Sequence, residues 1–175
     1  MNELRYPVGQ FELIQHVTTE LRQSWIEDVS QICPILRHTV QNLTSEQLLL
    51  QYRPGSWTVR QVVHHMADND MNAFIRFKRA LTEDNPTASS YREDLWAELS
   101  DYETPLETSL NLLESVHDRF TAILRSLQSS DFQRTFTSPT HGAMSLDAAL
   151  QRFIWHNRHH TAQIASIFLK KENQA

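Results

Sequence analysis

Nine histidines are spread over the 175 residues, and five of them fall into two tight groups. His64 and His65 are adjacent, while His156, His159 and His160 crowd one short segment. An α-helix advances 3.6 residues per turn, so the i, i+4 spacing of His156 and His160 sets both rings on one face, one turn apart. Two imidazoles held this way can grip a single metal ion. The same face carries Ala149, Phe153, Ile164 and Ile167, so the pair borders a core rather than solvent. His159 points about 60° to the other side of His156 and ranks below it as a ligand. Gln163, seven residues after His156, stays close to the stripe.

Two histidines leave a metal site incomplete. A catalytic zinc-type site takes three protein ligands and keeps a position open. His64 and His65 are the available donors, and His65 aligns with Thr58, Gln61, Asn69, Asn72 and Arg76 within roughly 40° on a helical wheel. That stripe is polar without being a run of charges, as the lining of an internal cavity would be. Asp68 is placed to orient a ligating ring or to accept a proton. The competing reading is a hydrogen-bonded core histidine on one helix and a solvated polar face on the other, and pattern alone leaves both open. His117 falls at a core-like position and reads as a satisfied core residue. His16, His38 and His141 read as surface or loop, the four tryptophans as packing, and Cys33 as a small core residue.

Other chemistries find no support. There is no glycine-rich phosphate loop, no HExxH and no Gly-x-Ser-x-Gly elbow. A single cysteine precludes an internal disulfide and any cysteine-pair zinc site. A net charge of −5 argues against a nucleic-acid partner, which leaves a basic footprint. No positive start followed by an apolar run marks a secretory signal, and no stretch approaches the roughly 18 apolar residues of a membrane span. The expectation is a cytoplasmic protein without membrane attachment.

The elements that must position these histidines are helical. Only three glycines occur, all where loops are expected, whereas a sheet-rich chain of this length needs more turn glycines. After an irregular arm to about Gln15, Leu21, Trp25, Val29, Ile32, Leu36 and Val40 predict helix one over Thr19–Asn42, kinked or split at Pro34. Thr44 and Gln47 have capping-box spacing and predict a short turn over Thr44–Leu50. Thr58 and Gln61 repeat that box and open helix two, Val59–Leu81. A polar connection, Thr82–Tyr102, contains a short helix over Glu93–Leu99. Thr104 as cap, Pro105 at the first helical position and Glu107 open helix three. A loop over Ser129–Met144 leads to helix four, Ser145–Lys170. The expected fold is an all-α four-helix bundle with long connections after helices two and three, one domain over residues 1–175.

Two runs, GSWTVRQVVHHMADNDMNAFIRFK and WHNRHHTAQI, resemble the two metal motifs of the DinB/YfiT-like superfamily. RYPVGQFE and YREDLWAEL resemble its YfiT branch of metal-dependent hydrolases, and the likeness runs over nearly the whole chain. The resemblance implies a four-helix bundle, commonly a homodimer, holding one divalent ion, zinc or nickel, on three histidines. Carried over by position, these are His65, His156 and His160. Many members have Arg-Gly before the glutamine where this chain has Thr161-Ala162, which puts the role of Gln163 in doubt.

Three functions are then open. In hydrolysis of a small-molecule substrate the ion activates water, Asp68 serves as base and Arg76 holds an anionic group. In thiol transfer, known among relatives that use bacillithiol or mycothiol, a bound low-molecular-weight thiol loses its proton and Asn69, Asn72 and Arg76 bind the cosubstrate. In a non-catalytic role the ion fastens helices or senses metal, and His117 or Asp68 would close the sphere.

Overall fold

The computed structural model describes residues 5–172. Four long helices dominate: α1 (Thr19–Val40), α2 (Val59–Thr82), α3 (Leu106–Ser126) and α4 (Leu146–Glu172). Three of them, α1, α2 and α4, begin where a side chain can satisfy a free backbone N–H group. Thr18 caps α1 by accepting from the Leu21 N–H. Thr58 and Gln61 make a reciprocal box at α2, with Gln61 N to Thr58 Oγ1 at 3.2 Å and Thr58 N to Gln61 Oε1 at 3.1 Å. Ser145 Oγ accepts from Ala148 N at 3.2 Å ahead of α4.

Several boundaries differ from expectation, for identifiable reasons. Helix α1 runs unbroken through Pro34, whose ring lies on the exposed face, where the carbonyl it fails to satisfy can bond water. The Thr44–Gln47 box forms but supports only a 3₁₀ turn, Gln47–Leu49. The short helix over Glu93–Leu99 shrinks to Glu93–Trp96. Thr104 does not cap α3: its hydroxyl donates to Asp101 O at 2.6 Å, closing the preceding 3₁₀ turn, and Pro105 becomes the cap residue. The loop before α4 contains a two-stranded antiparallel hairpin, β1 (Thr135–Ser138) and β2 (Gly142–Ser145). Gly142 sits at φ +71° in its turn, a conformation that a Cβ disfavours. The connection after α2 pairs with this hairpin through Ala88 N to Thr137 O and Thr137 N to Pro86 O, both 2.9 Å.

Helix α3 packs against α1 and α2, and α4 also packs against α1 and α2. The successive helices α1 and α2 therefore lie across the bundle from each other, which only long connections permit. Phe74 and Phe77 of α2, Phe120 of α3 and Phe153 of α4 meet edge to face at the centre, with ring centroids 4.7–5.8 Å apart. A buried, bidentate pair, Arg22 Nε to Asp147 Oδ1 at 2.7 Å and Nη2 to Oδ2 at 2.8 Å, ties the start of α1 to the start of α4. No helix among the described residues is long and apolar enough to cross a membrane.

Candidate metal centre

The capping box fixes where α2 begins and so which residues face α4 two turns later. His65 meets both His156 and His160, and four residues further on Asn69 meets His156 again. Rising numbers on α2 thus meet falling numbers on α4, and the two helices run antiparallel across the site.

One nitrogen from each of His65, His156 and His160 falls within 4.8 Å of the other two, the one such cluster of histidine, cysteine or acidic side chains among the described residues. His65 Nε2 and His156 Nε2 are 3.3 Å apart. Zinc–imidazole bonds of about 2.0–2.1 Å at tetrahedral angles demand donor spacings of roughly 3.3 Å, which the His65–His156 pair already has. Burial pushes the His65 imidazole down to about 4. His156 and His160 are held well below the ordinary value, by burial first and then by the neighbouring imidazoles. All three are neutral at pH 7, the state in which a ring nitrogen can ligate.

A neighbouring amide sets which nitrogen of His160 faces inward. Gln163 Oε1 accepts from His160 Nδ1 at 2.9 Å, leaving Nε2 with its lone pair toward the cluster. The amide nitrogen of Gln163 donates to His159 Nε2 at 2.7 Å and to Arg5 O at 3.2 Å, so its orientation is fixed from three sides. Replacement of Arg-Gly by Thr161-Ala162 leaves this arrangement intact. Asn69 Nδ2 lies 3.0 Å from Asp70 Oδ1 and 3.2 Å from His156 Nδ1. As placed, the amide donates to Asp70; turned over, Oδ1 would take the proton of His156 Nδ1 and leave Nε2 bare, but at the loss of the bond to Asp70. The His65 ring packs on Trp57 at 4.6 Å.

Other expected residues divide. His65, Asn69 and Arg76 line a cavity of about 600 Å³ together with His156, His159 and His160. Asp68 and Asn72 do not line it. The Asp68 carboxylate accepts from Tyr102 Oη at 2.7 Å, and Asn72 Nδ2 donates to the Asp68 carbonyl at 2.8 Å. Neither is hydrogen-bonded to a cluster histidine. The reason is angular: from the cluster-facing line of His65 and Asn69, Asp68 lies one step around the helix, toward the connection that carries Tyr102. His159 stacks on Trp155 at 4.8 Å and stays out of the cluster.

Sequence reasoning missed Asp70. This wholly buried carboxylate accepts from His117 Nε2 at 2.7 Å, Asn157 Nδ2 at 3.0 Å and Asn69 Nδ2, joining α2, α3 and α4 directly behind His156. A signal was present: Asp70 interrupts the apolar stripe of Val59, Val63, Met66, Phe74 and Phe77, and a carboxylate at a core position needs partners. His117 is thereby a bonded core histidine, as expected, and not a fourth ligand.

Four helices, with a three-imidazole cluster held between two of them on the wall of a cavity, define a helical bundle with a candidate cation-binding centre. Residues 34–164 match the DinB superfamily, and the chain belongs to it. It is 47% identical over 167 residues to a protein of Bacillus cereus (strain AH820) described as a putative metal-dependent hydrolase, across 95% of this chain and 96% of that one. The same figures hold for a protein of Bacillus anthracis (strain A0248) with the same description. The fold is similar to that of YfiT from Bacillus subtilis, described as a probable metal-dependent hydrolase with an unusual four-helix bundle topology. That match has a TM-score of 0.94 and 40% identity, covering 97% of this chain and 98% of YfiT.

Proposed function

We propose that this chain is a metal-dependent hydrolase of the YfiT type, with His65, His156 and His160 as the ligands of one divalent ion, zinc or nickel. The observation that carries the reading is the convergence of three neutral imidazole nitrogens within 4.8 Å at the wall of a cavity. Such an ion would act as a Lewis acid and bring the pKa of a coordinated water toward about 7. Gln163 holds His160, and Asn69 lies against Nδ1 of His156. Trp57 covers His65 and keeps bulk water off that ring. Arg76 supplies a fixed positive charge further along the cavity.

A second reading, transfer of a small thiol, is favoured by one feature: no carboxylate among the described residues hydrogen-bonds a cluster histidine. A thiol acidified at the ion needs no such base. A purely structural ion is disfavoured, since closed sites take four protein ligands and the cluster has three.

The test is metal content and turnover together. Wild-type protein should bind about one zinc or nickel ion per chain, and alanine at His65, His156 or His160 should each remove it, while His117→Ala retains it. Metal kept by His65→Ala or His156→Ala would overturn the site. Turnover of ester, amide or phosphoester supports hydrolysis. Conjugation of a haloaromatic electrophile that depends on added bacillithiol-type thiol supports transfer.

A further inference from the structure

Two arginines that line the cavity are, like Arg5, Arg53, Arg119 and Arg134 elsewhere, in no ion pair among the described residues. Arg22, Arg37, Arg60, Arg79, Arg92, Arg125 and Arg158 are each in an ion pair. Arg76 and Arg152 are in none among the described residues, although both are partly buried and line the cavity with the histidines. Arg76 makes one hydrogen bond, Nη2 to Ser89 O at 3.2 Å, and its buried Nε has no partner. Arg152 makes no side-chain hydrogen bond among the described residues; its guanidinium lies 5.2 Å over the Phe11 ring. Tyr91, on the same lining, has a buried hydroxyl that is also unpartnered.

These donors face one region. His141, at the hairpin turn, is held below its ordinary value by burial first and then by the charges of Arg152 and Arg76. Burial likewise pushes the Tyr91 hydroxyl up, with Arg76 among the nearby charges opposing that rise. Carboxylates are present on this wall but otherwise engaged or separate. Asp94 is bonded to Arg92 at 2.6 Å, and Glu93 pairs with neither arginine. A buried guanidinium nitrogen without a partner, as Arg76 Nε is, is costly to keep unless something completes it.

We propose that the cavity binds a small molecule carrying a carboxylate or phosphate group, which Arg76 and Arg152 grip from opposite helices while the rest of the molecule extends to the histidine cluster. The spacing sets the length of the substrate. Arg152 precedes His156 by four residues, about 6 Å along α4, and Arg76 follows His65 by eleven, about 16 Å along α2. The anionic group therefore sits between one and three helical turns from the cluster. Planar guanidinium forks bind either oxyanion in a bidentate manner, and the Tyr91 hydroxyl adds a third donor. The inference deepens the hydrolase reading by naming its substrate class, yet the anion grip is testable without any metal.

The experiment is calorimetric titration of chelator-treated protein with inorganic phosphate and, separately, with succinate, at constant ionic strength. Saturable binding of at least one probe is expected, and the probe that binds tells phosphate from carboxylate. Arg76→Gln and Arg152→Gln should each weaken it about ten-fold or more, as loss of a charge-assisted bond implies. Arg152→Lys should weaken it less, and Arg125→Gln, on the outer surface, not at all. Circular dichroism and retained metal uptake verify that the arginine variants are folded. No saturable binding of either probe, unchanged affinity in both glutamine variants, or an equal loss in Arg125→Gln would overturn the proposal. Because the titration is metal-free and the histidine series reads metal content, either reading can fail while the other stands.

Discussion

The buried imidazoles make the stability of the metal-free protein fall in acid, and by an amount that His65 alone bounds from below. In the unfolded chain a histidine takes up its proton near about 6.5. In the fold His65 is pushed down to about 4 by burial. Between these values the unfolded state binds the proton and the folded state does not, so stability is fully present above about pH 6.5 and is lost as pH falls toward 4. At about 1.4 kcal/mol per pKa unit the whole loss from His65 is about 3 kcal/mol, of which about 2 kcal/mol is gone by pH 5. His156 and His160 shift in the same direction and steepen the decline. Asp68, whose carboxyl burial pushes up, acts in the opposite sense, but only once pH approaches the carboxylate range. Urea unfolding of chelator-treated protein at about pH 7.5 and about pH 5 measures the difference, and His65→Gln removes the titrating ring. The wild type should lose at least about 2 kcal/mol on acidification, and the variant should lose that much less. Parallel losses in the two proteins, or a wild type indifferent to pH over this range, would refute the claim that burial keeps this ring neutral.

Two further outcomes follow from single contacts. Gln163→Ala removes the acceptor that holds His160 Nδ1, so metal affinity should drop about 10- to 100-fold with the three ligands still present, read by competition with a chelating dye. Asp147→Ala leaves the Arg22 guanidinium buried without its carboxylate and should destabilise the fold by about 3–5 kcal/mol in urea unfolding, far more than Glu27→Ala, which breaks an exposed pair with Arg125.

What could be read beforehand follows the range of the interactions involved. The four helices were legible because their stripes repeat within a few turns and Thr58 and Gln61 mark a start unambiguously. The pairing of His156 with His160 was legible for the same reason, since both ends of that relation lie on one helix. The hairpin was not: Thr135–Ser138 and Gly142–Ser145 are four residues each, too short for a periodic signal, and Thr137 of β1 also bonds to Pro86 and Ala88, some fifty residues away. Thr104 misled because a hydroxyl at a good capping position can also close the turn before it.

What was missed at the cavity has one physical origin. Asp68 and Asp70 are two residues apart on α2, both near His65 in sequence, and chemistry alone favours neither. Their rotation about the helix decides: Asp70 turns to the centre and gathers His117, Asn157 and Asn69, whereas Asp68 turns to Tyr102. Asp70 thus serves the cluster through Asn69, at one remove. The same rule sorts the cations. Arg76 was visible as part of a polar stripe, but Arg152 gains meaning only when the antiparallel approach of α4 brings it into the same cavity. Its own neighbours in the chain, Phe153 and Ile154, read as core, and nothing local distinguishes an arginine awaiting an anion from one that is simply solvated. A binding charge is recognised by the partner it lacks, and that can be established only when every neighbour in space has been accounted for.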